Sequence, residues 1–386
     1  MTRDAVKPLA VSMFAPWQTQ CGIHDYAAHL IDALDTLEEI ASVRVVAAPA
    51  DAARVGLAAA LAHRGEDERQ FARHGAEMNV AADVAHVQHQ YFLFGGVAPH
   101  RSHVRAFYDR IEVPLVVTAH EIASETGGLA RRIAVRLSNR ASFSHRAIRA
   151  LIVHTTADRE RLAAIGVEPR LVRVIRHPVP PALPIPDEAA ARDALAALFP
   201  LAKDRRVVTL FGFLSNKKGH RVALDAVTRL PPDTALVFAG GRHPDDHTDY
   251  VQSLQEQIDR LRLDDRVTIT GYLTPEQIAQ VMAVTSVAIA PYLQTSGSGS
   301  LANLIAYGRA IVASDIPPHR EIAAAEPDLL ALFPSGNSAA LAAEIAALLD
   351  DAPRRESLQR STVDHAARNT YREFARRCAD VYRDIL

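Results

Sequence analysis

The sequence predicts an α/β protein built from two Rossmann-like, doubly wound domains that face each other across a cleft. Three observations carry the prediction. Short apolar runs alternate with amphipathic helical stretches almost throughout, the pattern of a parallel sheet covered by helices. The alternation breaks once, at residues 178–186, where five prolines in nine positions allow neither a helix nor a central strand. The chain has 386 residues, too many for one ordinary domain and comfortable for two of roughly 150–200 residues.

The elements follow in order. Leu9–Phe14, Val43–Ala48, Val84–Gln88, Leu115–Ala119, Leu151–His154 and Val172–Ile175 are short and apolar, and read as buried parallel strands. Asp25–Leu34 and Arg131–Arg149 carry helical periodicity between them. The proline-rich stretch then acts as a stiff connector. Beyond it come strand Val207–Phe211, helix Arg221–Leu230, strand Ala235–Ala239, helix Tyr250–Leu261, strand Val267–Thr270 and helix Pro275–Ala283. Strand Val287–Ala290, helix Leu301–Tyr307 and strand Ile311–Ala313 complete the series. The expected organisation is a first domain over 1–178, a linker over 179–190, a second domain over 191–370 and a basic helix over 371–386. Periodicity does not say on which domain that last helix packs; packing back on the first is one of the two arrangements open to it.

Composition narrows the function. Hydrophobic residues make up 48% and charged residues 23%, so each half can bury a core. A net charge of −2 argues against a dedicated nucleic-acid binder. No run of 18 apolar residues occurs, so no membrane span is expected, and Met1–Ala10 has no signal-peptide core, so a cytoplasmic location is expected. Two cysteines, Cys21 and Cys378, exclude a disulfide framework and a cysteine metal site. Only four of the 43 basic residues are lysines (Lys7, Lys203, Lys217 and Lys218), so the adjacent pair Lys217-Lys218 stands out.

In open α/β sheets, ligands bind beyond the carboxyl ends of the strands. The junctions there carry the candidates. Thr19-Gln-Cys-Gly22-Ile-His-Asp25 offers Gly22 for close backbone approach to an anion; the alternative is an ordinary turn capped by Asp25. His86-Val-Gln-His89-Gln90 ends the third strand. Two histidines on one strand face would suggest a metal, but with no acidic or cysteine partner nearby a polar pocket wall is preferred. Thr118-Ala-His120-Glu121 places a histidine where it can hydrogen-bond a polar substrate, or where it is simply half-buried.

In the second half, Phe211-Gly-Phe213-Leu-Ser-Asn-Lys217-Lys218-Gly219 runs from strand to helix. Lysine opposes the dipole at a helix start, which makes sense if an anion sits there; a solvated basic turn is the alternative. Gly240-Gly241-Arg242 and Gly271-Tyr272 follow the next two strands, offering a close approach, a guanidinium fork and an aromatic that either stacks a base or packs. Thr295-Ser296-Gly297-Ser298-Gly299-Ser300-Leu301-Ala302-Asn303 runs into a helix, and its backbone N–H groups suit a diphosphate. It is neither a Walker loop nor a dinucleotide fingerprint.

Taken together, these phrases resemble retaining glycosyltransferases of family 4, with the two-domain GT-B fold. The resemblance rests on Cys21-Gly-Ile-His-Asp-Tyr26, Gln88-His-Gln-Tyr-Phe-Leu-Phe-Gly-Gly96, Thr118-Ala-His-Glu121, Val174-Ile-Arg-His-Pro178, Phe211–Gly219 and Gly308-Arg-Ala-Ile-Val-Ala-Ser-Asp315, and covers nearly the whole chain. It implies that the second domain binds a GDP- or UDP-linked sugar, with the diphosphate on Lys218 and the Gly297–Leu301 backbone. It implies that Gly22 approaches the same phosphates, that His120 touches the donor sugar, and that no metal or other cofactor is needed. It also implies same-face attack, the departing phosphate taking the acceptor's proton. The acceptor is expected to be a glycan or lipid-linked glycan under assembly for the cell surface.

Three positions depart from the family pattern: Thr295 and Asn303 stand where two glutamates are usual, and Phe213 where an arginine is usual. Asn303 keeps hydrogen-bonding capacity toward ribose. The departures motivate a second reading, a catalytically silent nucleotide-binding partner of another transferase; a sugar-nucleotide epimerase is a third. Finally, the stretch through Arg131–Arg149 is basic and free of acids. It reads as a solvated face or, where the acceptor is lipid-linked, as a peripheral contact with the inner face of a membrane.

Overall fold

The computed structural model describes residues 7–19, 21–49, 63–125, 127–196, 199–200, 204–242, 249–295 and 297–386. The chain forms two compact units, Met1–Pro178 with Tyr371–Leu386, and Val179–Thr370.

The first unit is a parallel six-stranded sheet. Its strands are β1 (Leu9–Ala15), β2 (Ile40–Ala47), β3 (Val84–His89), β4 (Leu115–Ala119), β5 (Ile148–Val153) and β6 (Val172–Val174). Their order is β2-β1-β3-β4-β5-β6, so the direction of winding reverses between β1 and β3. β3 and β4 are buried along their whole length, as expected of strands covered on both faces. One face carries a cluster of aromatics including Phe14, Phe71, Phe94 and Phe107. The other is covered by the helices Gly22–Leu34 and Tyr371–Asp384, whose Tyr26, Leu30, Phe374, Cys378 and Tyr382 share one core with Met13 and Val116. The last helix of the sequence thus completes the core of the first unit. Its Cys378 is fully buried, and burial pushes the thiol pKa up, so the group behaves as a small apolar side chain.

The second unit repeats the architecture with β7 (Arg206–Phe211), β8 (Thr234–Ala239), β9 (Val267–Ile269), β10 (Thr285–Ala290), β11 (Ile311–Asp315) and β12 (Ala331–Pro334). The order is β12-β11-β10-β7-β8-β9, with the reversal between β7 and β10. The crevice of such a sheet lies at the carboxyl ends of those two strands. The segments leaving them are the Lys-Lys-Gly turn and the Gly/Ser loop.

The structure corrects several elements. The helix expected over Arg131–Arg149 is Leu129–Phe143, and Arg149 lies in β5. Pairing of Ile148 with Leu115 and Ala150 with Val116 outweighs the helical periodicity there. The connector is shorter than expected. A helix begins at Glu188, inside the 179–190 stretch, because the Asp187 carboxylate accepts from the N–H groups of Ala189 (3.0 Å) and Ala190 (3.2 Å). β12 and the helices Pro317–Ala325, Ser338–Asp350 and Ala352–Arg368 are additions. The alanine-rich stretches among them lack the sharp polar contrast that marks a helix in sequence.

Candidate functional site

In the second unit three turns are stitched together at the carboxyl edge of the sheet. The turn after β7 is tied to the turn after β8: Gly212 N–H donates to Ala239 O (3.0 Å) and Leu214 N–H to Gly241 O (2.9 Å). It is tied to the loop after β10 by Leu293 N–H, which donates to Lys217 O (2.8 Å). Gly219 has φ +73°, and a Cβ there would stand 1.9 Å from Pro291 O. Only glycine allows this approach of the turn to the loop after β10.

Lys218 Nζ donates to Ser300 Oγ at 2.7 Å and lies 3.5 Å from the Tyr292 hydroxyl and 4.4 Å from the centre of the Tyr292 ring. Burial of the ammonium pushes its pKa down to about 7. Ser300 is in the first turn of the helix Gly299–Ala306, whose N-cap is Ser298; the Ser298 Oγ accepts from Leu301 N–H at 3.2 Å. The first N–H groups of a helix have no intrahelical partner and carry a partial positive charge. A half-buried cation and a helix N-terminus therefore converge, an arrangement that favours an anion with several oxygens. Lys217 contributes its carbonyl to the scaffold while its side chain is exposed.

Beside it lies an aromatic step. Phe213 and Tyr272 meet edge to face with ring centres 5.7 Å apart, and the Tyr272 hydroxyl donates to Arg242 O at 3.1 Å. Gly241 sits under Tyr272, where a Cβ would come within 2.9 Å of the ring. Tyr272 is 49% exposed. Phe213, Gly241, Arg242 and Tyr272 are thus brought together. Asn303 turns its amide back on its own helix, donating to Gly299 O at 2.9 Å. Thr295 and Gly297 are half-buried loop residues, and Ser296 lies outside the described residues.

Sequence reasoning missed His319 and Tyr292. The His319 ring is buried 5.5 Å from the Tyr292 ring, with Nδ1 2.9 Å from Ser314 O. Burial, with the nearby Lys218 charge, lowers its pKa to about 4. Its position just beyond β11, a strand next to β10, was the available signal.

In the first unit, Gly22 opens the helix Gly22–Leu34 behind Cys21, whose Sγ accepts from His24 N–H at 3.4 Å. A Cβ on Gly22 would meet nothing within 4 Å, so packing does not require the glycine. His120 follows β4. Its Nε2 lies 2.9 Å from Gln88 Oε1, and its ring meets the Tyr26 ring edge-on at 4.7 Å. His154 and His177 gather on the same tyrosine, at 5.7 and 5.3 Å. Burial first, then the neighbouring histidines, hold His120 well below the usual histidine range, so it is neutral.

The shared face expected of His86 and His89 is corrected. They are three positions apart on a strand and point to opposite faces. His86 hydrogen-bonds Tyr382 and Thr118, while His89 stacks on Phe94 and meets Phe143 edge-on. Among the described residues no group of three or more histidine, cysteine or acidic side chains is placed to hold a metal ion.

Residues 205–351 match the family described as glycosyl transferases group 1. Solved structures resemble the chain over nearly its full length. Anabaena HepE in complex with UDP and glucose has a TM-score of 0.73 at 17% identity, covering 97% of this chain and 100% of that one. Sucrose-phosphate synthase from Thermosynechococcus elongatus has a TM-score of 0.76 at 15% identity, covering 97% and 98%. WaaG, a glycosyltransferase involved in lipopolysaccharide biosynthesis, has a TM-score of 0.66 at 13% identity, covering 97% and 99%. No curated protein matches the chain. The two parallel sheets with these neighbours are the GT-B fold.

Proposed function

We propose that this chain is a retaining glycosyltransferase that moves a hexose from a nucleotide-sugar to a glycan or lipid-linked glycan acceptor. The observation that carries the reading is Lys218 Nζ, 2.7 Å from Ser300 Oγ at the start of the helix Gly299–Ala306. A sugar diphosphate is the anion this geometry suits. HepE is solved with UDP-glucose at 16% identity, which makes UDP-hexoses the first donors to test, with GDP-mannose next.

In this reading the bond between the sugar C1 and the diphosphate oxygen breaks, and its electron pair leaves with the diphosphate. Lys218 and the N–H groups of the Gly297–Leu301 segment stabilise that charge, so no metal is assigned to the step. The C1 centre becomes oxocarbenium-like, and the acceptor oxygen bonds to it on the face the diphosphate leaves. The acceptor's proton passes to the departing phosphate oxygen. Tyr272 and Phe213 offer an aromatic surface to the base. In the first unit, His120 is assigned to a sugar hydroxyl and Gly22 to close ligand approach.

The membrane contact now rests on a smaller and more apolar face. Leu129, Ile133 and Leu137 are 74%, 52% and 54% exposed on the helix Leu129–Phe143. They follow an i, i+4, i+8 spacing and therefore form one stripe, with Arg132, Arg136 and Arg140 exposed along its flank. An apolar stripe beside cations suits the surface of an anionic bilayer. No described helix is long and apolar enough to cross one.

One observation favours a second reading. Asn303 spends its amide on its own helix, and neither it nor Thr295 supplies a carboxylate. A nucleotide-binding partner protein would tolerate that. A thermal-shift panel of UDP, GDP, ADP and dTDP and their sugar conjugates, followed by turnover assays, separates the readings. A shift of the size expected for about 2.7 kcal/mol at 100 times Kd, with donor consumption, supports the transferase. A shift without turnover across donors and acceptors supports the partner protein. No shift with any nucleotide sinks both.

A further inference from the structure

The helix Leu129–Phe143 is built the reverse way from an ordinary surface helix, which keeps its apolar stripe toward the core. Its buried residues are Val135, Ser138, Asn139, Ser142 and Phe143, so three of the five are polar. The Ser138 and Ser142 hydroxyl oxygens are buried with no hydrogen-bond partner among the described residues. The outer side carries Leu129, Ile133 and Leu137, all exposed. Arg131, Arg132, Arg136 and Arg140 are exposed around them, and the helix has no acidic residue. Burying hydroxyls without partners costs free energy, and so does leaving an apolar stripe in water. The helix is therefore weakly held in the free protein.

Asn139 ties this helix to two loops at the carboxyl edge of the first sheet. Its Nδ2 donates to Ala123 O at 3.0 Å, in the loop after β4. Its Oδ1 accepts from the Tyr91 hydroxyl, in the turn after β3. A backbone carbonyl only accepts, so Ala123 O fixes which way the amide faces. The Tyr91 oxygen accepts in turn from Ala123 N–H at 3.2 Å, which closes a triangle of hydrogen bonds between three segments. Asn139 is 1% and Tyr91 4% exposed, so water hardly competes for these bonds. The same two loops are joined again by His120 N–H, which donates to His89 O at 3.1 Å, and by Gln90 Nε2, which donates to Glu121 Oε2 at 3.0 Å. A change at Asn139 therefore reaches the backbone beside His120.

We propose that Asn139 is a positioning residue that couples contact between the helix Leu129–Phe143 and an anionic lipid surface to the ordering of the loops after β3 and β4. Charge selects the occupant. Four guanidinium groups with no carboxylate on the same helix, set around an apolar stripe, suit anionic headgroups above acyl chains. Docking takes freedom from the helix, and a buried tie passes that loss to the segments it holds, with no change of mean structure required. In water the helix and its two loops move together; on a bilayer all three are held. The coupling rests on the membrane contact proposed above, and its effect on turnover rests on the transferase reading.

The test is hydrogen–deuterium exchange on the full chain, with and without vesicles, read by mass spectrometry over residues 88–96 and 120–125. Sedimentation of the same mixtures reads binding. Vesicles of phosphatidylcholine with phosphatidylglycerol should sediment the protein and slow exchange several-fold in both segments; phosphatidylcholine alone should do neither. Asn139→Leu keeps a similar shape and cuts the tie. Tyr91→Phe, the milder change, removes a single oxygen and cuts two of the three bonds. Both variants should sediment as the parent does and lose the vesicle-dependent slowing. A merely structural contact would behave differently: its loss would raise exchange without vesicles and leave the vesicle-dependent difference in place. Sedimentation of the parent without slowing overturns the coupling and spares the membrane contact. No sedimentation with either vesicle, or self-association through the stripe in its place, overturns both. Slowing that survives in both variants removes Asn139 from the role. Slowing without turnover of any nucleotide-sugar would sink the transferase reading and leave the coupling standing; full turnover without slowing would do the opposite.

Discussion

Lys218 and Ser300 stand 82 residues apart in sequence, yet the lysine Nζ lies 2.7 Å from the serine Oγ. The sheet makes the contact, because the chain leaves β7 just before one residue and β10 just before the other. The two hydrogen bonds given to the ammonium go to hydroxyls, those of Ser300 and Tyr292. Hydroxyls satisfy its hydrogens without neutralising its charge. An oxyanion would do both, which is why the pair reads as a binding site and not as a structural contact.

Lys218→Met should separate these roles. The thioether side chain fills similar space without the buried charge, so the melting temperature of the free protein should hold or rise. Affinity for the nucleotide-sugar should fall roughly 100-fold or more, as for a lost charge-stabilising donor. Calorimetry on both proteins reads both quantities. A variant that binds as tightly as the parent would remove Lys218 from the site.

The depressed lysine pKa gives a second expectation, with a definite sign. In the free protein Lys218 loses its proton near pH 7, whereas a bound diphosphate draws its pKa back toward the ordinary value of about 10.4. Binding therefore takes up a proton above pH 7. Affinity should be level below that pH and weaken by up to ~10-fold per unit above it. Stability of the free protein runs the other way across the same window, because the unfolded chain holds the proton that the folded one has released. Titrations with a nucleotide-sugar at pH 6, 7, 8 and 9 check the slope, and in Lys218→Met the slope should vanish.

Gly212→Ala is a probe of the scaffold. Gly212 has φ +112°, and a Cβ there would stand 2.3 Å from Ser300 Oγ and 3.1 Å from Lys218 Nζ. The substitution should cost on the order of 1–3 kcal/mol of stability through strain. It should also weaken nucleotide binding by pushing apart the two residues that define the site. A melting curve and a binding isotherm suffice, and a variant with parental values for both would contradict the packing described.

Ile133→Glu addresses the exposed stripe on the helix Leu129–Phe143. The side chain is 52% exposed, so the fold and nucleotide binding should be unaffected. Sedimentation with vesicles containing anionic lipid should drop several-fold, and the parent protein should release from them as salt is raised. Equal sedimentation of variant and parent would assign the stripe to something other than lipid.

Much of the architecture was legible in the sequence because buried parallel strands are continuous apolar runs. The strand centres from Val84 to Ala119 and from Val207 to Ala239 could be read directly. The segments around Lys218 and Ser298–Leu301 were visible because glycine, serine and a rare lysine pair are conspicuous beside such runs. Arg149 was not, since a basic residue in a strand looks the same as one on a helix until its partner strand is known. The buried polar contacts of the first unit were invisible for a stronger reason. Gln88 and Tyr382 are ordinary residues, and their contacts with His86 and His120 exist only once distant segments meet in the fold.

The placement of the helix Tyr371–Asp384 has a consequence for how the protein is made. A ribosome delivers that helix after every residue of the second unit, although its Phe374, Cys378 and Tyr382 belong to the core of the first. Until then the first unit emerges with the apolar side of Gly22–Leu34 uncovered and His86 without its tyrosine. The order of completion is therefore the reverse of the order of synthesis: the second unit can close while the first still waits. Truncation before the helix Tyr371–Asp384 would do more than shorten the chain; it would leave the half translated first permanently open, and a client for chaperones or proteases.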